Sequence, residues 1–171
     1  MGLVDAYRKL ETEYPKMLGV DHACVTNTGT AALHLALEAL ELPPKTQVIV
    51  PEFTMYASGM AVHYARLNPV FIDCDDNLLI DLDKVEQHFE RTVNLWHTKV
   101  LMVTHVYGRT VDMDRVMDIA KKYKLRVIED ACEAQGAYHN EKAIGSYDIG
   151  CFSFYRNKII SAEEGGIIVS N

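Results

Sequence analysis

The sequence predicts an α/β fold in three layers, a mainly parallel sheet flanked by helices. Two observations carry this. Short apolar runs alternate with longer amphipathic stretches, the pattern of strand–helix units. The strand-like runs, Val48-Ile49-Val50 and Val100 to Thr104 among them, are continuously apolar, as in a sheet covered on both faces.

Each element follows from its residues. Val4, Tyr7, Leu10, Tyr14 and Leu18 recur every three or four positions, which makes an amphipathic helix. Cys24-Val25 is a short apolar run, and Thr26 to Thr30 a polar turn. Ala31 to Leu42 is a helix rich in Ala and Leu, stopped by Pro43-Pro44. Val48 to Val50 is a buried strand before Pro51. Thr54 to Arg66 reads as helix, Pro69 to Asp73 as strand and Asp81 to Arg91 as helix. After the strand Val100 to Thr104, Met113 to Tyr123 is a helix with Val116, Ile119 and Ala120 on one face. Arg126 to Ile128, Cys151 to Phe154 and Gly166 to Ser170 are the remaining strands.

Composition narrows the classes of function. At 171 residues, with 49% apolar and 24% charged, the chain is an ordinary globular sequence that fits one domain over residues 1–171. The net charge of -7 comes from scattered acids, and Lys and Arg form no basic stripe, which argues against nucleic acid as a partner. No signal peptide is visible before Tyr14, and no apolar run is long enough to span a membrane. Cys24, Cys74, Cys132 and Cys151 lack pairing or metal-type spacing; they read as buried free thiols in a reducing cytoplasm. The seven histidines are scattered, so no metal is expected, and His34 and His63 read as packing residues.

Several short segments could carry chemistry. Thr28-Gly29-Thr30-Ala31 stands between a strand and a helix, where backbone N–H groups and hydroxyls can hold a phosphate; taken alone, the segment reads better as a plain helix cap. Asp130 closes an apolar strand at its C-terminal edge, where open α/β sheets bind ligands, and a carboxylate there can keep a pyridine nitrogen protonated. Asp130 with Glu133 is also a capping-box spacing. In Ser153 to Lys158, the serine could hold a phosphate while the lysine reaches an aldehyde carbon. Thr104 to Gly108 closes another strand, and Glu163 to Gly166 forms a turn into the last one.

In their order along the chain, these segments resemble the DegT-type nucleotide-sugar aminotransferases, pyridoxal-phosphate (PLP) enzymes of fold type I. The resemblance runs nearly end to end, through Asn27 to Leu33, Val50 to Thr54, Pro69 to Asp73, His105 to Gly108 with Asp112 to Asp114, Glu129 to Ala131 with Gly136-Ala137, Ser153-Phe154 with Asn157-Lys158, and Glu164 to Gly166. It implies that Lys158 forms the internal aldimine, that Asp130 pairs with the pyridinium nitrogen, and that Gly29, Thr30, Ala31 and Ser153 hold the phosphate. Glu133 matches a position that is Gln or Glu in the family, near the ring hydroxyl. Met55 stands where the family usually sets an aromatic ring against the cofactor, and Glu163 where glycine is common.

The implied activity is transamination of a keto nucleotide-sugar from an amino-acid donor such as glutamate. A related dehydratase branch has histidine where this chain has Lys158. The family's members are about twice this length, so the expectation is an incomplete large domain whose small C-terminal domain is absent. Its partners would then be a second copy in a homodimer or a complementary C-terminal fragment. The alternative is a non-catalytic fragment that holds PLP or binds a subunit.

Overall fold

The computed structural model describes residues 2–91 and 97–171. In chain order its elements are α1 (Leu3–Leu18), β1 (His22–Thr26), α2 (Gly29–Ala39), β2 (Gln47–Pro51), α3 (Tyr56–Tyr64), β3 (Asn68–Ile72), α4 (Leu82–Arg91) and β4 (Thr98–Thr104). They continue with α5 (Met113–Tyr123), β5 (Arg126–Asp130), β6 (Tyr138–His139), β7 (Lys142–Ala143), β8 (Ile149–Ser153) and β9 (Gly166–Ser170).

Seven strands make one sheet in the order β1-β9-β8-β5-β4-β2-β3. The pairs β8–β5, β5–β4, β4–β2 and β2–β3 are parallel, while β9 runs antiparallel to both β1 and β8. The expected mainly parallel sheet is therefore present, with one reversed strand.

Side-chain alternation divides the core into two layers. Val48, Val50, Val100, Met102, Ile128 and Cys151 pack with Ala32, Leu33, Ala36 and Leu37 of α2 and Ala61 and Val62 of α3. On the other face, Ile49, Leu101, Val103, Val127 and Phe152 pack with α4 through Val85 and Phe89, and with α5 through Val116 and Ile119. Both faces are covered, which is why the strands read as continuous apolar runs.

Boundaries shifted where capping or tertiary contacts override pattern. The second helix begins at Gly29, because Thr28 accepts a hydrogen bond from the Ala31 N–H at 3.0 Å. It ends at Ala39, and Glu41 then takes a left-handed φ of 49°. The third starts at Tyr56 and not at Thr54, whose hydroxyl is bonded to Ser58 and Thr104. The strand expected from Cys151 to Phe154 runs from Ile149 to Ser153. In α1, Tyr14 is buried edge-on against Phe152 and Phe154, yet Val4 and Tyr7 remain exposed, so its apolar stripe is only partly covered.

Two expectations about buried residues need correction. Only Cys151 of the four cysteines is buried; Cys24 is exposed because β1 is an edge strand, and Cys74 and Cys132 are half-buried. His63 is exposed, while the half-buried His34 pairs with Glu38 at 3.2 Å and leans on the Tyr64 ring. Among the described residues, no helix is long and apolar enough to cross a membrane.

Candidate active site

The C-terminal ends of β2, β4, β5 and β8 open into a cleft of about 580 Å³. This is where a parallel sheet offers strand-end side chains and helix N-termini to a ligand. Gly29, Thr30, Met55, Asp130, Glu133, Ser153 and Lys158 all line it, so one cavity brings together side chains spread over 130 positions of sequence.

One end of the cleft suits an anion. The helix α2 starts there, and the N–H groups of its first turn are ones that the helix itself cannot use. Ser153, from the end of β8, faces this turn closely: a Cβ on Gly29 would stand 2.7 Å from the Ser153 Cβ. Gly166 is also required, since a Cβ there would meet the Thr28 carbonyl oxygen at 2.4 Å. The two glycines let three backbone segments converge on one small cradle. Ala31 sits one residue deeper in α2, and its N–H is spent on the Thr28 cap.

Asp130 lies across the cleft at the end of β5, only 3% exposed. Its Oδ2 accepts from Ser58 Oγ at 2.7 Å, and its Oδ1 from the Cys132 N–H at 3.2 Å. The residues after Asp130 form turns, not a helix, so the capping-box reading does not apply. Glu133 instead reaches into the cleft, where its Oε1 accepts from Lys158 Nζ at 3.3 Å and its Oε2 from the Tyr107 N–H at 3.1 Å. Burial, with Asp130 beside it, pushes the Cys132 thiol well above the ordinary thiol range.

The turn carrying Lys158 is tied to its own ends. Phe154 N–H donates to the Gly165 carbonyl, Arg156 N–H to Glu163, and Lys158 N–H to Tyr155. Glu163 takes a left-handed φ of 62°, a conformation that glycine adopts at less cost. Met55 is the last residue before α3 and stands at the cleft rim, 57% exposed beside the still more exposed Tyr56.

Sequence reasoning missed Ser58 and gave no role to the hydroxyls of Thr54 and Thr104, although both residues lay in segments it singled out; the three form a line of hydroxyls ending on Asp130. It also missed a buried pair beneath the site. His105 and Glu129 are both 0% exposed, and their side chains meet at 3.3 Å. The Val111 N–H donates to His105 Nδ1, so Nε2 carries the proton and donates to Glu129. Away from the cleft, His139 Nε2 lies 3.5 Å from carboxylate oxygens of Asp112 and Asp114, and Asn140 donates to Asp114. That grouping was invisible in sequence spacing, and these mutual contacts account for it.

The donor set fits PLP. The glycine cradle with Ser153 suits a phosphate, the Asp130 carboxylate suits a ring nitrogen, and the cleft holds a lysine, the side chain that condensation with an aldehyde needs.

Comparison with known proteins agrees with that chemistry. The chain is similar to GDP-perosamine synthase of Caulobacter vibrioides, with 41% identity over 165 residues, 95% of this chain and 43% of that protein. Its structure matches an aminotransferase from Psychrobacter cryohalolentis with a TM-score of 0.90 and 33% identity, over 96% of this chain and 41% of the other. A putative sugar aminotransferase from Streptococcus pneumoniae, solved in its PLP form, matches with a TM-score of 0.89 and 26% identity, over 96% and 45% of the two chains. The chain thus spans less than half the length of the relatives it matches. The family model for the DegT/DnrJ/EryC1/StrS aminotransferases matches residues 4–171, and the chain belongs to that family.

Proposed function

We propose that this chain is the PLP-binding portion of an aminotransferase that moves an amino group from a donor such as glutamate onto a keto nucleotide-sugar. The observation that carries this is the convergence of Lys158, Asp130, Ser153 and Gly29 in one cleft at the strand ends. When bound, the cofactor supplies an aldehyde for an amine to condense with and a ring that accepts electron density. The protein's share is to hold and orient. Gly29, Thr30 and Ser153 would hold the phosphate, whereas Ala31, its N–H spent on the Thr28 cap and its side chain outside the cleft, would not; Asp130 would accept a hydrogen bond from the ring nitrogen, and Glu133 lies beside Lys158. Lys158 supplies the attacking amine and later moves a proton at the substrate carbon. Met55, at the rim of the cleft, would offer the ring a polarisable sulfur where an aromatic face is common.

The exposed aromatics at the mouth, Phe53, Tyr56 and Tyr107, support a site completed by another polypeptide, a second copy or a C-terminal piece. A cytoplasmic location belongs to the same reading. The exposure of Met55 favours a second reading, a fragment that holds PLP or binds a subunit without turnover.

The test is the absorbance spectrum of the chain with added PLP, before and after borohydride, beside Lys158→Ala. A band fixed covalently only when Lys158 is present supports the cofactor site. Adding a complementary C-terminal piece, a keto nucleotide-sugar and glutamate then separates an active half from a silent one. No lysine-dependent band would sink the cofactor assignment.

A further inference from the structure

We propose that Thr104, Thr54 and Ser58 form a one-way hydroxyl relay that keeps Asp130 a hydrogen-bond acceptor for the cofactor's ring nitrogen, with Ser58 as its positioning residue. The proposal rests on the PLP reading above and gives a role to three hydroxyls to which neither motif nor family resemblance assigned one.

The hydrogen bonds settle the direction of the relay. Ser58 is 0% exposed, and its hydroxyl donates its single proton to Asp130 Oδ2 at 2.7 Å. With that proton committed, Ser58 can only accept from Thr54, whose Oγ1 lies 2.9 Å away. The proton of Thr54 is then committed in turn, so Thr104 donates to it across 3.1 Å. Three separate elements supply the links. Thr104 ends β4 directly beside Asp130 in the parallel register, Thr54 lies in the loop after β2, and Ser58 stands in the first turn of α3. A helical serine usually bonds backbone close by in sequence. This one reaches a carboxylate 72 residues away.

The chemical consequence follows from where protons can sit. A proton between a pyridine nitrogen and a carboxylate stays on the nitrogen as long as the carboxylate remains the weaker base. Every hydrogen bond donated to the anion stabilises it, and successive hydroxyls polarise one another in the same direction. Asp130 receives Ser58 on one oxygen and the Cys132 N–H on the other, so its rotation is fixed. Each oxygen still keeps a lone pair for a ligand.

The experiment is nuclear magnetic resonance of PLP labelled with 15N at the ring nitrogen, bound to the full chain as wild type, Ser58→Ala and Thr54→Val. The wild type is expected to give a ring signal in the protonated range. Ser58→Ala should move it toward the unprotonated range, and Thr54→Val should move it the same way by less. A merely structural serine would change thermal stability and leave the ring signal in place. An unchanged signal in Ser58→Ala overturns the relay; if that variant does not fold, an unchanged signal in Thr54→Val does so. An unprotonated ring in the wild type also overturns it while leaving the cofactor reading intact. A wild type that binds no PLP defeats the cofactor reading, and the relay with it.

Discussion

Lys158 Nζ donates to Glu133 Oε1 across 3.3 Å, with the two side chains only 13% and 24% exposed. The second Glu133 oxygen holds the N–H of Tyr107, a non-glycine residue at φ 54°. One carboxylate therefore ties the lysine to a strained turn at the cleft mouth, a conformation that costs on the order of 1 kcal/mol. Glu133→Ala removes the acceptor, and the Tyr107 amide should exchange with deuterium about tenfold faster or more, given the strength of hydrogen bonds to charged groups. Glu133→Gln keeps an oxygen for Tyr107 and should restore most of the protection. Equal exchange in wild type and Glu133→Ala would mean that the carboxylate does not hold the turn.

Gly29 has a narrower tolerance. In the first turn of a helix, alanine is favoured over glycine by up to about 1 kcal/mol. Here the added methyl would stand 2.7 Å from the Ser153 Cβ and 3.0 Å from the Cys132 Sγ, so strand and helix must part. Overpacking of this kind costs about 1–3 kcal/mol, and the clash outweighs the propensity. Gly29→Ala should lower the thermal midpoint and, on the proposed function, weaken PLP binding at least about tenfold, since the cradle proposed for the phosphate opens. Titration of PLP fluorescence checks the second effect, and wild-type affinity in the variant would refute the cradle.

Part of this site was legible because several contributors stand at or just beyond the end of a strand. Gly29 begins a helix directly after β1, Asp130 ends β5 and Ser153 ends β8; local pattern marked each as a strand end or helix start, and the family resemblance grouped them. Lys158 follows in the next turn. What stayed hidden depends on contacts between distant segments. Nothing near Ser58 announces Asp130, and nothing near His105 announces Glu129, because strand order in the sheet makes both pairs neighbours.

The fold shows the same division. Apolar runs revealed the strands, but the reversed direction of β9 follows from its pairing between β1 and β8, which no local signal encodes. The hairpin of β6 and β7 escaped notice because two-residue strands carry no periodicity. Its turn residues Asn140 and Glu141 both have positive φ, as a tight hairpin requires, and only Asn is a usual choice there. Cys24 looked buried from its apolar neighbours and is exposed because β1 has a strand on one side only.

Thiol chemistry should separate the cysteines by depth. Burial holds the Cys132 and Cys151 thiols well above the ordinary range, with Asp130 adding to both and Glu129 to Cys151. A thiol reagent at mildly alkaline pH should modify Cys24 first and reach Cys151 only when the chain unfolds. Stability carries the corresponding sign. Below about 8.5, the usual thiol pKa, both folded and unfolded chains keep these protons and pH has no effect through them. As pH rises past that value the unfolded chain loses thiol protons that the folded chain retains, so stability falls. Burial raises the Tyr14 phenol likewise, which extends the loss to higher pH. Urea midpoints measured from pH 7 to 10 should decline. A flat profile would contradict the burial of these groups.

Glu129 is the most constrained acid in the structure. It is 0% exposed and accepts from the Gly145 N–H at 2.8 Å, the Tyr147 N–H at 2.8 Å and His105 Nε2 at 3.3 Å. Its two oxygens meet only donors, so the amide group of Glu129→Gln must face an N–H whichever way it turns. At least one buried donor then loses its acceptor, at a cost of about 1–3 kcal/mol. His105→Phe removes a donor but strands the Val111 N–H, which now bonds Nδ1, so a similar loss is expected. The two changes share one network, and the double variant should lose less than the sum of the single losses. Urea denaturation of all four proteins measures the coupling. Strict additivity would mean that the pair contributes no joint stabilisation to the strand end that presents Asp130.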